Sequence, residues 1–238
     1  MKLPITIIMT KVAALLPLKA HSSRVQGKNF KEFCGKPLFR WVFDKLLSIS
    51  EIELIVINTD AHSLLLQHGL EESDRVMIRD RPKEICGDGI SMNKIINDDV
   101  KNVPADTYIM THTTNPLLSK NTILNALKTF QKNIKENKAD SLFTVNKIQT
   151  RFYDKNGKAI NHDPKNLIPT QNLETWYEEN SNLYIFTEDS FKKTKARIGQ
   201  QPSMYVTPLV ESIDIDTPQE WDKGVLITKY LLESGQIK

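Results

Sequence analysis

Cysteine is scarce in this 238-residue chain: Cys34 and Cys86 are the only two, with no CxxC and no Cys/His pair at metal-ligand spacing. That excludes a disulfide framework and a zinc finger or ribbon. One disulfide is possible in principle, but nothing else points to an oxidising compartment, so both thiols are read as free. Long apolar runs are also missing, since none approaches the roughly 18 residues of a membrane span. The N-terminus comes nearest, with Lys2 followed by Ile5, Ile7, Ile8, Val12, Leu15 and Leu16. Lys11 interrupts that run and no small-x-small cleavage site follows, so it is not read as a signal peptide. A soluble, cytoplasmic protein is expected. Excess charge is absent too: 32 basic residues face 29 acidic ones, a net +3. No block of cations is available to neutralise many phosphates of a polynucleotide, which excludes nucleic-acid binding. A local cationic pocket for a small anion stays open.

What is present is ordinary globular material, 39% hydrophobic and 26% charged. At this length one α/β domain with a modest appendage can bury its own core. Strand-like runs at 12–18, 54–58, 76–78, 108–111 and 141–145 alternate with helix-like ones at 37–49, 61–69, 91–100 and 121–135. Pro37 falls in the first turn of one helix, Gly69 closes the second, and Ser91 is placed to cap the third. Such alternation predicts a parallel sheet with helices on both faces and ligands beyond the carboxyl ends of the strands. Residues 147–178, with Gly157, Pro164, Pro169 and many Asn, read as an irregular excursion within a single domain spanning 1–238. Strand character returns at 183–186 and 204–206, and a helix over 218–232 closes the chain.

Three constellations carry chemistry. After the first strand come Lys19, His21, Ser22, Ser23, Arg24, Gly27, Lys28 and Asn29. Cations, hydroxyls and backbone N–H groups in so short a loop suit a polyphosphate, although a solvated basic loop has the same composition. The loop is neither a Walker A nor a GxGxxG turn. Near the end, Glu211-Ser212-Ile213-Asp214-Ile215-Asp216 alternates. On a strand, Asp214 and Asp216 would share a face about 7 Å apart, a hard-oxygen pair suited to Mg²⁺, or a polar edge strand in water. Third, the Arg81–Asp88 loop precedes a helix, where an Arg can hold an anion or simply lie on the surface. Trp41, Trp176 and Trp221 are read as packing residues.

Together these segments resemble the CMP-sugar synthetases, the acylneuraminate and 3-deoxy-manno-octulosonate cytidylyltransferases. The resemblance runs from about residue 12 to 222. It is carried by Ser22–Asn29 with Gly35-Lys36-Pro37-Leu38, Thr59-Asp60, Arg81–Asp88, Thr113-Thr114-Asn115-Pro116-Leu117, Glu179-Asn180-Ser181 and Ser212–Asp216. It implies a Rossmann-like (GT-A-like) nucleotidyltransferase fold with a mainly parallel sheet, and a homodimer whose arm is the 147–178 excursion. The implied reaction joins CMP from CTP to the anomeric hydroxyl of an acidic sugar, with Mg²⁺ as cofactor. By the same resemblance Lys19, Arg24 and Lys28 meet the triphosphate, and Asp214 and Asp216 hold the metal. Leu18, Ser22, Ser23, Asn29, Arg81, Asp88 and Ser91 line the nucleotide site, and His112, Thr113, Asn115 and Asn180 the sugar.

The chain departs from that pattern where Lys19 replaces an arginine, Gln26 a proline, His112 a glutamine and Leu118 an arginine. The acceptor sugar is therefore open. Another sugar or polyol phosphate as acceptor, or a non-catalytic nucleotide-binding relative, are the competing readings.

Overall fold

The computed structural model describes residues 11–237; the apolar residues Ile5, Ile7 and Ile8 lie outside the described residues. Strand β1 (Val12–Leu15) is buried at every position. It leads through the basic loop to a small hairpin, β2 (Glu32–Phe33) and β3 (Lys36–Pro37), and then to α1 (Leu38–Leu47). The alternation continues as β4 (Leu54–Thr59), α2 (His62–Gln67), β5 (Val76–Asp80), α3 (Met92–Asn102), β6 (Thr107–Thr111) and α4 (Lys120–Lys135). The chain ends with β7 (Ser141–Ile148), β8 (Trp176–Thr187), α5 (Glu188–Thr194), β9 (Pro202–Val206) and α6 (Pro218–Glu233).

One seven-stranded sheet runs β5-β4-β1-β6-β8-β7-β9. Every pairing is parallel except those of β8, which runs against both β6 and β7. The two-residue period of β1 divides the core. Val12, Ala14 and Leu16 face a cluster with Phe39, Val42 and Leu46 of α1 and Ile123, Leu127 and Phe130 of α4. Ala13 and Leu15 face the other side, with Ile96 and Val100 of α3 and Phe191 of α5. Helices therefore cover both faces of a mostly parallel sheet, an α/β nucleotidyltransferase fold.

Details at the helix ends differ from expectation. Pro37 is the residue before α1 rather than part of its first turn. Ser91 precedes α3, but its side chain makes no capping bond. α6 instead carries a full capping box, Thr217 with Glu220, and Pro218 at its first position.

A third, smaller cluster supports the end of the chain. Val25, Phe33, Leu38, Trp41, Ile215 and Trp221 pack together, and Trp41 Nε1 donates to the Phe33 carbonyl at 2.7 Å. Full burial of a side chain such as Ile215 contributes about 1.5–3 kcal/mol. Gly224 lets α6 approach, since a Cβ there would lie 3.1 Å from Ile215 Cδ1.

The expected strand over 212–216 is not formed. A tight helical turn at Leu209–Ser212 gives way to extended but unpaired backbone. Its alternation survives because Ile215 is drawn into the cluster and its N–H donates to the Thr114 carbonyl at 2.9 Å.

Between β7 and β8 the chain is irregular over 149–175, apart from one turn at Thr170–Asn172 and a bridge between Tyr153 and Ala159. Its stem is regular, with Lys147 paired to Tyr177 and Ile148 to Trp176. Trp176 stacks on Phe152 at 4.9 Å between ring centroids.

Candidate active site

A cleft of about 390 Å³ opens beyond the carboxyl ends of β1 and β6. The loop after β1 brings Leu18, Lys19, Lys28 and Asn29 to it, and the loop after β5 brings Arg81 and Asp88. His112 and Thr113 follow β6, and the extended segment before α6 adds Asp214 and Asp216. Residues up to two hundred positions apart thus share one cavity.

Three cations of the site rest on its carboxylates. Lys19 Nζ bonds the Asp88 carboxylate, which holds Asp88 below its usual pKa. Lys28 is buried and donates to the Ile215 carbonyl at 2.6 Å and to Asp216 Oδ1 at 2.8 Å. Arg24 does not line the cleft, but its Nη2 reaches Asp216 Oδ2 at 2.8 Å. Burial pushes the Asp216 pKa up; Lys28 and Arg24 outweigh it and leave the group below the ordinary carboxylate value. Asp214 differs. Burial raises its pKa, only partly opposed by Thr114, and its Oδ1 is buried with no hydrogen-bond partner.

Those two aspartates are the candidate metal ligands. Among the described residues no group of three or more His, Cys, Asp or Glu is gathered for a metal. A two-carboxylate site fits Mg²⁺, which keeps several waters and leans on substrate phosphates. The orphaned Asp214 oxygen is a donor of the right kind.

Several expected contacts prove to be braces. Arg81 lines the cleft, but its guanidinium is occupied: Nη2 donates to the carbonyls of Leu18 (3.0 Å) and Asn58 (2.6 Å), and Nε to Asn58 Oδ1 (2.9 Å). It ties the ends of β1 and β4 together. Asn29 Nδ2 donates to the Lys19 carbonyl at 2.8 Å while its Oδ1 accepts from Thr113 Oγ1 at 2.6 Å. Asp60 accepts the Ala20 N–H at 2.7 Å, anchoring the start of the basic loop.

Other expected residues stand away from the cleft. Ser22 and Ser23 do not line it. Ser91 borders a separate groove with Lys94 and Asn97. Asn115 is fully buried, its amide donating to the Ile213 carbonyl at 3.3 Å and so pinning the 112–116 loop to the acidic segment. Asn180 is buried among Asn146 and Thr207, both within hydrogen-bond distance. Its polar groups are satisfied by neighbouring strands.

The structure adds Thr114, Ser181 and Arg197 to the wall. Ser181 takes a left-handed conformation, φ 54°, where the β7–β8 register shifts, and that irregularity turns its side chain toward the cavity. Within the Glu179-Asn180-Ser181 motif it is Ser181, and not the expected Asn180, that lines the cleft. His112 is neutral: burial and the nearby Arg197 push its pKa down to about 3. Arg197 Nη1 lies 3.3 Å from His112 Nε2. A guanidinium only donates, so Nε2 accepts and the proton sits on Nδ1.

With this geometry in place, the comparisons with known proteins are specific. The family model for cytidylyltransferases matches residues 13–222. A pseudaminic acid cytidylyltransferase of Campylobacter jejuni subsp. jejuni is 24% identical over 239 residues, covering 94% of this chain and 99% of that protein. A CMP-N,N'-diacetyllegionaminic acid synthase of Legionella pneumophila subsp. pneumophila is 24% identical over 236 residues, covering 95% and 98%. Among solved structures, a CMP:2-keto-3-deoxy-manno-octonic acid synthetase complexed with CTP aligns with a TM-score of 0.64 at 15% identity, covering 93% of this chain and 99% of that one. A 4-diphosphocytidyl-2C-methyl-D-erythritol synthase from Anaerococcus prevotii aligns at 0.64 and 11% identity, covering 94% and 97%. The last two likenesses concern the fold alone.

Proposed function

This chain belongs to the cytidylyltransferase family, and from that premise we propose that it transfers CMP from CTP to the anomeric hydroxyl of a 2-keto-3-deoxy sugar acid, releasing pyrophosphate. The observation that carries the reading is the convergence of Lys28, Asp214 and Asp216 with Lys19 and Asp88 in one cleft beyond the strand ends. The relatives' names, for pseudaminic and legionaminic acids, narrow the acceptor class.

In this reading the triphosphate takes over the cations that now rest on carboxylates. Lys19 leaves Asp88, and Arg24 and Lys28 turn from Asp216 to phosphate oxygens, so charge is matched before and after binding. Asp214 and Asp216 would hold Mg²⁺. When bound there, the ion neutralises charge on the phosphates. Arg81 and Asn29 keep the backbone of the loops in place so that the hydroxyl and the α-phosphorus meet in line. One carboxylate of the pair accepts the hydroxyl proton as the new P–O bond forms and the bond to pyrophosphate breaks.

The arm is assigned to a homodimer. Ile160, Leu167 and Ile168 are exposed on it, and Tyr177 is exposed at its stem. A second copy of the chain would cover these side chains. Among the described residues no helix is long and apolar enough to cross a membrane; a cytoplasmic location is part of the proposal.

The test is pyrophosphate release from CTP and Mg²⁺ with pseudaminic, legionaminic, N-acetylneuraminic and 3-deoxy-manno-octulosonic acids, a polyol phosphate serving as a further acceptor. Release with one acid, lost in Asp216→Ala and absent with ATP, GTP or UTP, is the expected result. Turnover of the polyol phosphate alone would replace the acceptor class. Failure to bind CTP would end the proposal.

A further inference from the structure

Setting aside Arg81, whose guanidinium is spent on the Leu18 and Asn58 oxygens, Arg197 is the cation of the cleft least committed to a protein anion. It sits in the loop between α5 and β9, lines the cavity, and its side chain is 19% exposed. Lys19 rests on Asp88, and Lys28 and Arg24 rest on Asp216. For Arg197 the one carboxylate within 4 Å among the described residues is Glu179, at 3.7 Å from Nη2, beyond hydrogen-bond length. That Glu179 oxygen already accepts the Tyr184 hydroxyl. A partly desolvated guanidinium in this position favours an anion brought by a ligand.

The side chain is held ready for one. Its Cζ lies 3.8 Å from the centroid of the Tyr184 ring, and Nη1 is directed at His112 Nε2. The neutral imidazole fixes the guanidinium without neutralising it. The backbone on either side is clamped as well. Arg197 N–H meets Asn93 Oδ1 at 3.3 Å, while Asp140 accepts from Gln200 N at 2.8 Å and Gln201 N at 3.1 Å. Gly199 allows this approach, because a Cβ there would fall 2.2 Å from Asp140 Oδ1.

Resting on the function proposed above, we propose that Arg197 binds the carboxylate of the sugar acid through its guanidinium fork and so selects acids over neutral sugars. In a 2-keto-3-deoxy acid the carboxyl carbon is bonded directly to the anomeric carbon. A fork on the carboxylate therefore orients the hydroxyl that attacks phosphorus.

The experiment compares wild type, Arg197→Lys and Arg197→Met for calorimetric binding of the four sugar acids, of their C1 carboxamides, and of CTP, with pyrophosphate release measured in parallel. The acid that wild type uses should bind it at least ~10-fold more tightly than the carboxamide, the scale of one charge-assisted fork. Arg197→Met should bind the two equally, Arg197→Lys should fall between, and CTP affinity should stay within about twofold throughout. Melting temperatures guard against a folding defect, and Arg197→Lys carries the test should the methionine variant not fold. An acid preference that survives in Arg197→Met, or an equal loss for CTP, overturns the assignment alone. A wild type that binds CTP but none of the acids overturns the acceptor reading and the assignment with it.

Discussion

Lys28 Nζ bridges Asp216 Oδ1 at 2.8 Å and the carbonyl oxygen of Ile215 at 2.6 Å. A single ammonium from the loop after β1 thus holds the segment that bears Asp214 and Asp216, two of the three acidic residues of the cleft. Lys28 is 7% exposed, so its bond to the Ile215 carbonyl is shielded from water, while the Asp216 side chain keeps 36% of its surface exposed.

Replacing Lys28 with methionine keeps the stem and deletes the charge. Asp216 then keeps only Arg24, and the triphosphate loses its buried cation. kcat/KM for CTP should fall by about 10²–10³-fold, the cost of one preorganised electrostatic contact. Steady-state pyrophosphate release measures it, and a loss below tenfold would remove Lys28 from the site.

Asp214→Asn separates metal binding from folding. The folded pKa of Asp214 is raised above its ordinary 3.8 by burial, so its favourable contribution is complete below that value and is lost as pH rises through the folded one. At pH 8 the buried carboxylate therefore opposes folding. Without Mg²⁺ the variant should melt no lower than wild type, while the rise in melting temperature with Mg²⁺ and CTP should shrink and turnover should fall by ~10²-fold or more. Thermal scans with and without the ion decide it.

His112 gives the opposite sign. Its pKa drops from 6.5 to about 3 in the folded chain, so the unfolded chain binds the extra proton first as pH falls below 6.5. Between pH 6 and pH 4 wild type should lose up to about 1.4 kcal/mol of stability per pH unit beyond any loss shown by His112→Asn. Urea unfolding at pH 7, 6, 5 and 4 reads the two slopes. Parallel slopes would mean that His112 protonates freely in the folded protein.

The dimerisation proposed for the arm can be checked directly. Wild type should elute and scatter light at twice the chain mass. A double variant, Ile160→Glu with Leu167→Glu, should run as a monomer with an unchanged circular dichroism spectrum, since both side chains are exposed and outside the sheet. A monomeric wild type at micromolar concentration would detach the arm from dimerisation.

The alternation of strands and helices was legible because it follows from side-chain periodicity, which each segment carries by itself. The 212–216 segment shows the limit of that signal. A period of two reports extended backbone with one face packed, and Ile215 supplies the packed face through Phe33 and Trp221 without any neighbouring strand. Lys19, Lys28, Asp214 and Asp216, which share the cleft, were legible as candidates because cations and carboxylates cluster in short motifs. Arg197 carries no such mark. Its place depends on Tyr184 and His112, 13 and 85 positions away in the chain. The structure buries Asn115 and Asn180 away from the cleft lining, which the sequence does not reveal, since an amide in a motif looks the same whether it meets a ligand or satisfies a buried carbonyl.

β8 enters the sheet as the stem of the arm, opposite β7 at Trp176–Glu179, and continues as the neighbour of β6 at Leu183–Thr187. Twelve residues of strand make a beam roughly 40 Å long, with Ser181 and Tyr184 set into its middle beside the cleft. The two laddered halves meet at Ser181, whose left-handed φ of 54° interrupts the pairing between Glu179 and Leu183. The stem of the arm and the Tyr184 ring on which Arg197 rests therefore belong to one strand.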